Sequence, residues 1–137
     1  MTKHGKLDFY NLFNEKMLEF AKDLCDVFPH VAEFKRFRSG ILMLQNLEPK
    51  TLEGIFRTYV IEKYKDQLLN KEESFFLEHK QFDIYSQRTD YWLSLIDQLK
   101  QMWVTLDPEN KDVVWKYFHV LIVLSDKCTG IEKSTFL

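Results

Sequence analysis

Apolar side chains recur along this chain at spacings of three and four, with no β-type alternation bounded by turn signals, so the pattern predicts helices from end to end. Phe9, Leu12, Phe13, Met17, Phe20, Leu24, Val27 and Phe28 form one stripe, and Asn14, Glu15, Lys22, Asp23 and Asp26 fall on the opposite face. Asp8 is placed to cap this helix, and Pro29 ends it because the residue before a proline is pushed out of the α region. A second segment, His30 to Leu47, carries Val31, Phe34, Phe37, Ile41 and Leu44 on one side. Gly40 lies inside it, weakens it by about 1 kcal/mol relative to Ala, and marks a kink, a break or a close helix crossing.

After the connector Asn46 to Lys50, a third helix is expected from about Lys50 to Leu69, where Leu52, Ile55, Phe56, Tyr59, Val60, Tyr64 and Leu68 keep the helical spacing. Asn70 is expected to end it, since Asn tolerates the left-handed conformation. Lys71 to Phe82 reads as a shorter helix. Asp83 to Thr89 reads either as a loop or as its continuation. A fifth helix capped by Asp90 carries Trp92, Leu95, Ile96, Leu99, Met102, Trp103 and Leu106.

The most apolar stretch is Asp107 to Lys127. Asp107 suits an N-cap and Pro108 the first helical position, where a missing N–H costs nothing. Val113, Val114, Trp115, Tyr117, Phe118, Val120, Leu121, Ile122, Val123 and Leu124 fall on nearly every face, so this helix is expected to be a central post surrounded by others. The run from Val120 to Leu124 is far shorter than the ~20 residues of a membrane span. The expectation is an all-α single domain, 1–137, of five to six helices, arranged as an antiparallel bundle or globular helical array around the helix near 108–127. Residues 1–7 and 129–137 are expected to be flexible tails.

Composition changes this picture little. The 137 residues are 45% hydrophobic and 29% charged, which suits one globular core, and 12 of the aromatics are Phe, which favours thickly packed helices. A formal charge of −2 supplies no overall attraction to nucleic acid or an anionic membrane. Cys25 and Cys128 lack the spacing of a disulfide framework or a zinc site, and the N-terminus shows no apolar signal region, so an intracellular protein with reduced thiols is expected.

Candidate chemistry is sparse. His119 stands mid-helix, but Trp115, Lys116, Ile122 and Val123 occupy the positions where a Cys or carboxylate co-ligand would sit, which reads as a neutral core or rim histidine. His79 with Asp83, and His30 with Glu33, share helix faces, but two ligands do not make a zinc site. Ser39, Ser74, Ser86, Ser94 and Ser125 lack a glycine-flanked elbow, and Gly5, Gly40, Gly54 and Gly130 are isolated. Cys25 lies at a helix C-terminal end, where the macrodipole disfavours a thiolate, and reads as core packing; Cys128 reads as exposed. No catalytic, cofactor or metal residues are assigned. Thr135-Phe136-Leu137 has the form of a C-terminal ligand that adds a strand to a partner domain, although a tail folded back on the helices is the preferred reading.

The basic cluster Lys35, Arg36 and Arg38 either contacts an acidic protein surface or, if joined by Arg57 on one face, phosphates of nucleic acid. Tyr10, Tyr85, Tyr91 and Trp115 fall beside the cleanest apolar stripes and are expected to form an exposed patch with that cluster at its rim.

The stretch FNEKMLEFAKDLCDVFP at Phe13 to Pro29, continued by EFKRFRSGI at Glu33 to Ile41 and later EESFFL at Glu72 to Leu77, resembles small helical proteins of large nucleocytoplasmic DNA viruses of algae and protists. The resemblance implies a viral origin and a place in the virion, such as a minor capsid protein, and transfers no catalytic residue. The expectation is a non-enzymatic structural or protein–protein interaction module acting through a protein partner or self-association. Its alternatives are a nucleic-acid-binding helical protein and a small histidine–carboxylate enzyme.

Overall fold

The computed structural model describes residues 6–77 and 98–134. Within them the chain is helical: α1 (Lys6–Val27), α2 (Ala32–Leu47), α3 (Thr51–Phe56), α4 (Glu62–Leu69), α5 (Ser74–Leu77) and α6 (Pro108–Ser134). A π-helical segment, Arg57–Ile61, joins α3 to α4 without a break, and a 3₁₀ turn, Trp103–Thr105, follows a helical stretch at 98–102. The domain is all-α, as the spacing predicts.

α1 and α2 form a helical hairpin. The Phe28 N–H still donates to the Leu24 carbonyl at 2.8 Å, Pro29 then breaks the ladder, and the Val31 N–H donates back to the Phe28 carbonyl at 3.1 Å. α2 runs through Gly40 unbroken, and Gly40 is buried.

Among the described elements α1, rather than α6, makes the most extensive contacts, and α6 is not enclosed on every face. α1 packs along both α2 and α6 and also touches α3. Its buried arc is wide: Tyr10, Phe13, Asn14, Met17, Phe20, Ala21 and Leu24. Asn14, which the periodicity assigns to the polar face, is enclosed, and its Nδ2 donates to the Pro49 carbonyl at 2.9 Å across the α2–α3 connector. α6 buries Val114, Trp115, Phe118, Leu121, Ile122, Ser125 and Cys128 on one side. Its other side, with Val113, Lys116, His119, Val120 and Val123, is exposed. A stretch apolar on every face signals burial only if enough helices exist to surround it. The described neighbours of α6 cover one side.

The expected tail from residue 129 is also corrected. α6 continues to Ser134, and Cys128 is fully buried rather than exposed. Its start is as expected, with the Asn110 N–H donating to Asp107 Oδ1 at 2.8 Å. Asp8 does not cap α1, which begins at Lys6; it lies in the first turn, where its charge complements the helix dipole.

The π segment re-aims the third predicted helix. The Glu62 N–H donates to the Arg57 carbonyl, five residues back, which adds one residue to the turn. That residue rotates everything downstream by roughly 100° relative to an unbroken α-helix, and Val60, Ile61 and Leu68 join Leu52 and Phe56 in one core. Helix termination differs from expectation by one residue: Asn70 keeps a negative φ, and Lys71 adopts the left-handed conformation at φ 55°. The Glu72 N–H donates to the Gln67 carbonyl at 2.9 Å and the Lys71 N–H to Leu68 at 3.3 Å, a Schellman closure.

One end of the domain is an aromatic cluster. Phe76 stacks on Trp103 at 4.0 Å between centroids and meets Trp115 and Phe118 edge-on, while Phe75 meets Tyr64, Phe76 and Phe118 in the same way. Such ring pairs contribute about 0.5–1.5 kcal/mol each beyond their burial. α5 begins at Ser74 rather than Lys71, because 71–73 belong to the preceding turn, and keeps two phenylalanines of the predicted Lys71–Phe82 helix in the core; residues 78–82 of that prediction and the Asp90 cap lie outside the described residues.

Candidate functional site

The α1–α2 hairpin sets side chains equidistant from its turn against one another. Cys25 precedes His30 by as many positions as Lys35 follows it, and Lys22 and Arg38 stand in the same relation one turn further out. All four line a cavity of about 460 Å³ with Asp26 and Ser39. Lys22, Lys35, Arg38, Asp26 and Ser39 are exposed, and Cys25 is half-buried. Burial pushes the Cys25 thiol above its ordinary value; Arg38 pulls it back, Asp26 pushes it up and Lys35 pulls it down. The thiol therefore stays protonated at neutral pH.

The cations of this cavity differ from the rest. Lys16, Arg36, Arg57, Lys65, Lys71, Lys111 and Lys116 each lie within 4 Å of a carboxylate. Lys50, Lys63, Lys100 and Lys127 each lie over an aromatic ring. Among the lysines and arginines whose side chains are described, that leaves Lys22, Lys35 and Arg38 without an intramolecular carboxylate or ring.

The residues predicted from sequence separate accordingly. Lys35 and Arg38 face the cavity, whereas Arg36 is turned away into an ion pair with Glu33 at 3.5 Å. Arg57 does not join them: its Nη1 lies 3.4 Å from Glu53 and donates to Thr129 Oγ1 at 3.2 Å, between the α3–π junction and α6. Tyr10 and Trp115, expected on an exposed patch, are 2% and 6% exposed and belong to the core, because both fall within the wide buried arcs of their helices. Tyr85 and Tyr91 lie outside the described residues, as do His79 and Thr135-Phe136-Leu137. His30 and His119 are exposed, on the α1–α2 turn and the outer side of α6. Among the described residues no three His, Cys, Asp or Glu side chains are grouped to hold a metal ion.

Lys22 is the site residue that periodicity missed. Read one helix at a time, it sits on a solvated polar face; the signal was the short turn at Pro29, which folds that face against α2. Tyr117 makes a polar contact between α6 and α1. Its hydroxyl donates to Asp23, and burial first, then that hydrogen bond, hold the phenol well above its ordinary pKa. This locks α6 to α1, with Tyr117 stacked on Phe20 at 4.7 Å.

No family model, curated protein or solved structure matches the chain. Among the described residues no helix is long and apolar enough to cross a membrane.

Proposed function

We propose that the chain is a non-enzymatic protein–protein interaction module that docks an acidic segment of a partner on the α1–α2 face. The observation that carries this reading is the gathering of Lys22, Lys35 and Arg38 around one cleft with no internal partner among the described residues. Charges left unpaired on a surface cost little in water, and charge complementarity across an interface gives register and fast encounter. The apolar-patch mechanism is replaced by this one, because Tyr10 and Trp115 are buried. Nucleic acid is the weaker reading: Arg57 is engaged with Glu53 and Thr129, and the chain carries a net charge of −2.

The resemblance to helical proteins of large DNA viruses supports placing the module in virion assembly, where it would bridge other components. The test is photo-crosslinking from position Ser39 in the native source, comparing the wild type with the variant carrying Lys22→Ala, Lys35→Ala and Arg38→Ala. The reading expects a discrete crosslinked protein with an acidic contact segment that disappears in the variant. An identical crosslinking pattern from both would refute it.

A further inference from the structure

The cleft is more specific than a basic face. Its lining sets three cations against the single carboxylate of Asp26, which leaves two net positive charges around about 460 Å³. That volume falls within the ~300–1,000 Å³ of ordinary ligand sites and exceeds what one small anion needs. A carboxylate brings one negative charge, whereas a phosphate monoester brings about −1.5 to −2 at neutral pH and three acceptor oxygens.

The donors suit the larger charge. Arg38 presents a planar fork that matches two phosphate oxygens, Lys22 and Lys35 supply point charges from opposite walls, and the Ser39 hydroxyl is a further donor beside them. Arg36 has its own carboxylate in Glu33, so the cluster on α2 is divided between a paired cation outside the cleft and two unpaired ones within it. Resting on the reading of an acidic partner, we propose that this cleft binds a phosphate monoester on a phosphorylated segment of a protein partner, with Lys22, Lys35 and Arg38 holding its oxygens.

A protein carrier is favoured over nucleic acid by the same inventory. Successive backbone phosphates need a track of available cations. Beyond these three, every lysine and arginine whose side chain is described already faces a carboxylate or a ring. Among the described residues the cleft supplies one charged seat and no track of available cations leading away from it.

Cys25 makes the site readable. Its thiol lines the cleft, while Cys128 is fully buried and serves as an internal reference. The experiment measures the rate of Cys25 alkylation by iodoacetamide in the full chain, resolved by peptide mass spectrometry. It uses a degenerate peptide library with a fixed central phosphoserine, the same library with serine, the same library with aspartate, and oligothymidylate.

The phosphoserine library is expected to slow Cys25 alkylation about tenfold at concentrations where the serine and aspartate libraries change it little, in line with the strength of charge-assisted hydrogen bonds. Arg38→Ala and Lys22→Ala each weaken that protection about tenfold, Arg38→Lys weakens it less, and Lys65→Ala leaves it intact. Circular dichroism of each variant confirms an intact fold, since Lys22, Arg38 and Lys65 lie at the surface. Equal protection by the phosphoserine and aspartate libraries would overturn the phosphate inference while leaving the acidic-partner reading in place. Protection by none of the peptides would overturn both. Tighter, steeply salt-dependent protection by oligothymidylate would overturn the protein carrier.

Discussion

At the seam between α3 and α6, the Glu53 carboxylate is fully buried, accepts a hydrogen bond from Ser125 Oγ at 2.6 Å and lies 3.4 Å from Arg57. Arg57 in turn donates to Thr129, whose hydroxyl donates to the Ser125 carbonyl at 3.0 Å. Across the α1–α2 cleft, Lys22, Lys35 and Arg38 meet around open space with Asp26 as their sole carboxylate neighbour in the lining. Both regions join two helices with charged groups, but their energetics are opposite. A buried charge must be neutralised and hydrogen-bonded or it costs several kcal/mol, so the seam is committed to the fold. An exposed charge costs almost nothing to leave unpaired, so the cleft is available for something else.

The largest effect that separates the two regions is on stability. Arg57→Ala removes the cation beside the buried Glu53 carboxylate and is expected to cost about 3 kcal/mol in urea unfolding. Lys22→Ala, Lys35→Ala and Arg38→Ala should each stay within about 0.5 kcal/mol of the wild type. Comparable losses at both places would erase the distinction.

A middle-sized effect belongs to the turn beside the seam helix. Lys71 adopts the left-handed conformation that glycine accepts without a steric penalty, and its contact with Asp112 at 3.6 Å joins two exposed side chains and contributes little. Lys71→Gly is therefore expected to raise stability by about 1 kcal/mol. A loss on that substitution would show that the ion pair, not the backbone, governs the site.

Smaller effects are read by titration. Tyr117 has its folded-state pKa raised, so its contribution to stability is complete below the ordinary tyrosine value and is lost as pH rises through the folded value. Ultraviolet titration should show a late tyrosine ionisation, and Tyr117→Phe should remove that step. At the cleft, Arg38 lowers the Cys25 pKa against the larger effect of burial. Arg38→Ala should accordingly move the pH dependence of Cys25 alkylation further upward. An unchanged profile would place the guanidinium away from the cleft.

Periodicity along the chain carried the helices, the Pro29 break, the Asp107 cap and most of the core, because each follows from neighbours within one or two turns. It misplaced what depends on partners distant in sequence. The valines of α6 look the same to a pattern whether or not a helix covers them, so α6 read as apolar on every face although Val113, Val120 and Val123 are exposed. Tyr10 and Trp115 sit at the margins of apolar stripes, and only the width of each interface decides on which side they fall. The basic residues of α2 were visible as a cluster, but their division was not. Glu33, one turn before Arg36, claims that cation, while Lys22 arrives from the other helix of the hairpin.

The proposal reserves Lys22, Lys35 and Arg38 for an anionic partner, while the other described cations face a carboxylate or a ring within the fold. It is tested most directly by following lysine Nζ and arginine guanidinium resonances by NMR as the phosphoserine peptide library is added. Shifts confined to Lys22, Lys35 and Arg38 are expected, with Arg57, Lys65 and Lys111 unmoved. Shifts spread evenly over all these side chains, or absent from the three at the cleft, would contradict it.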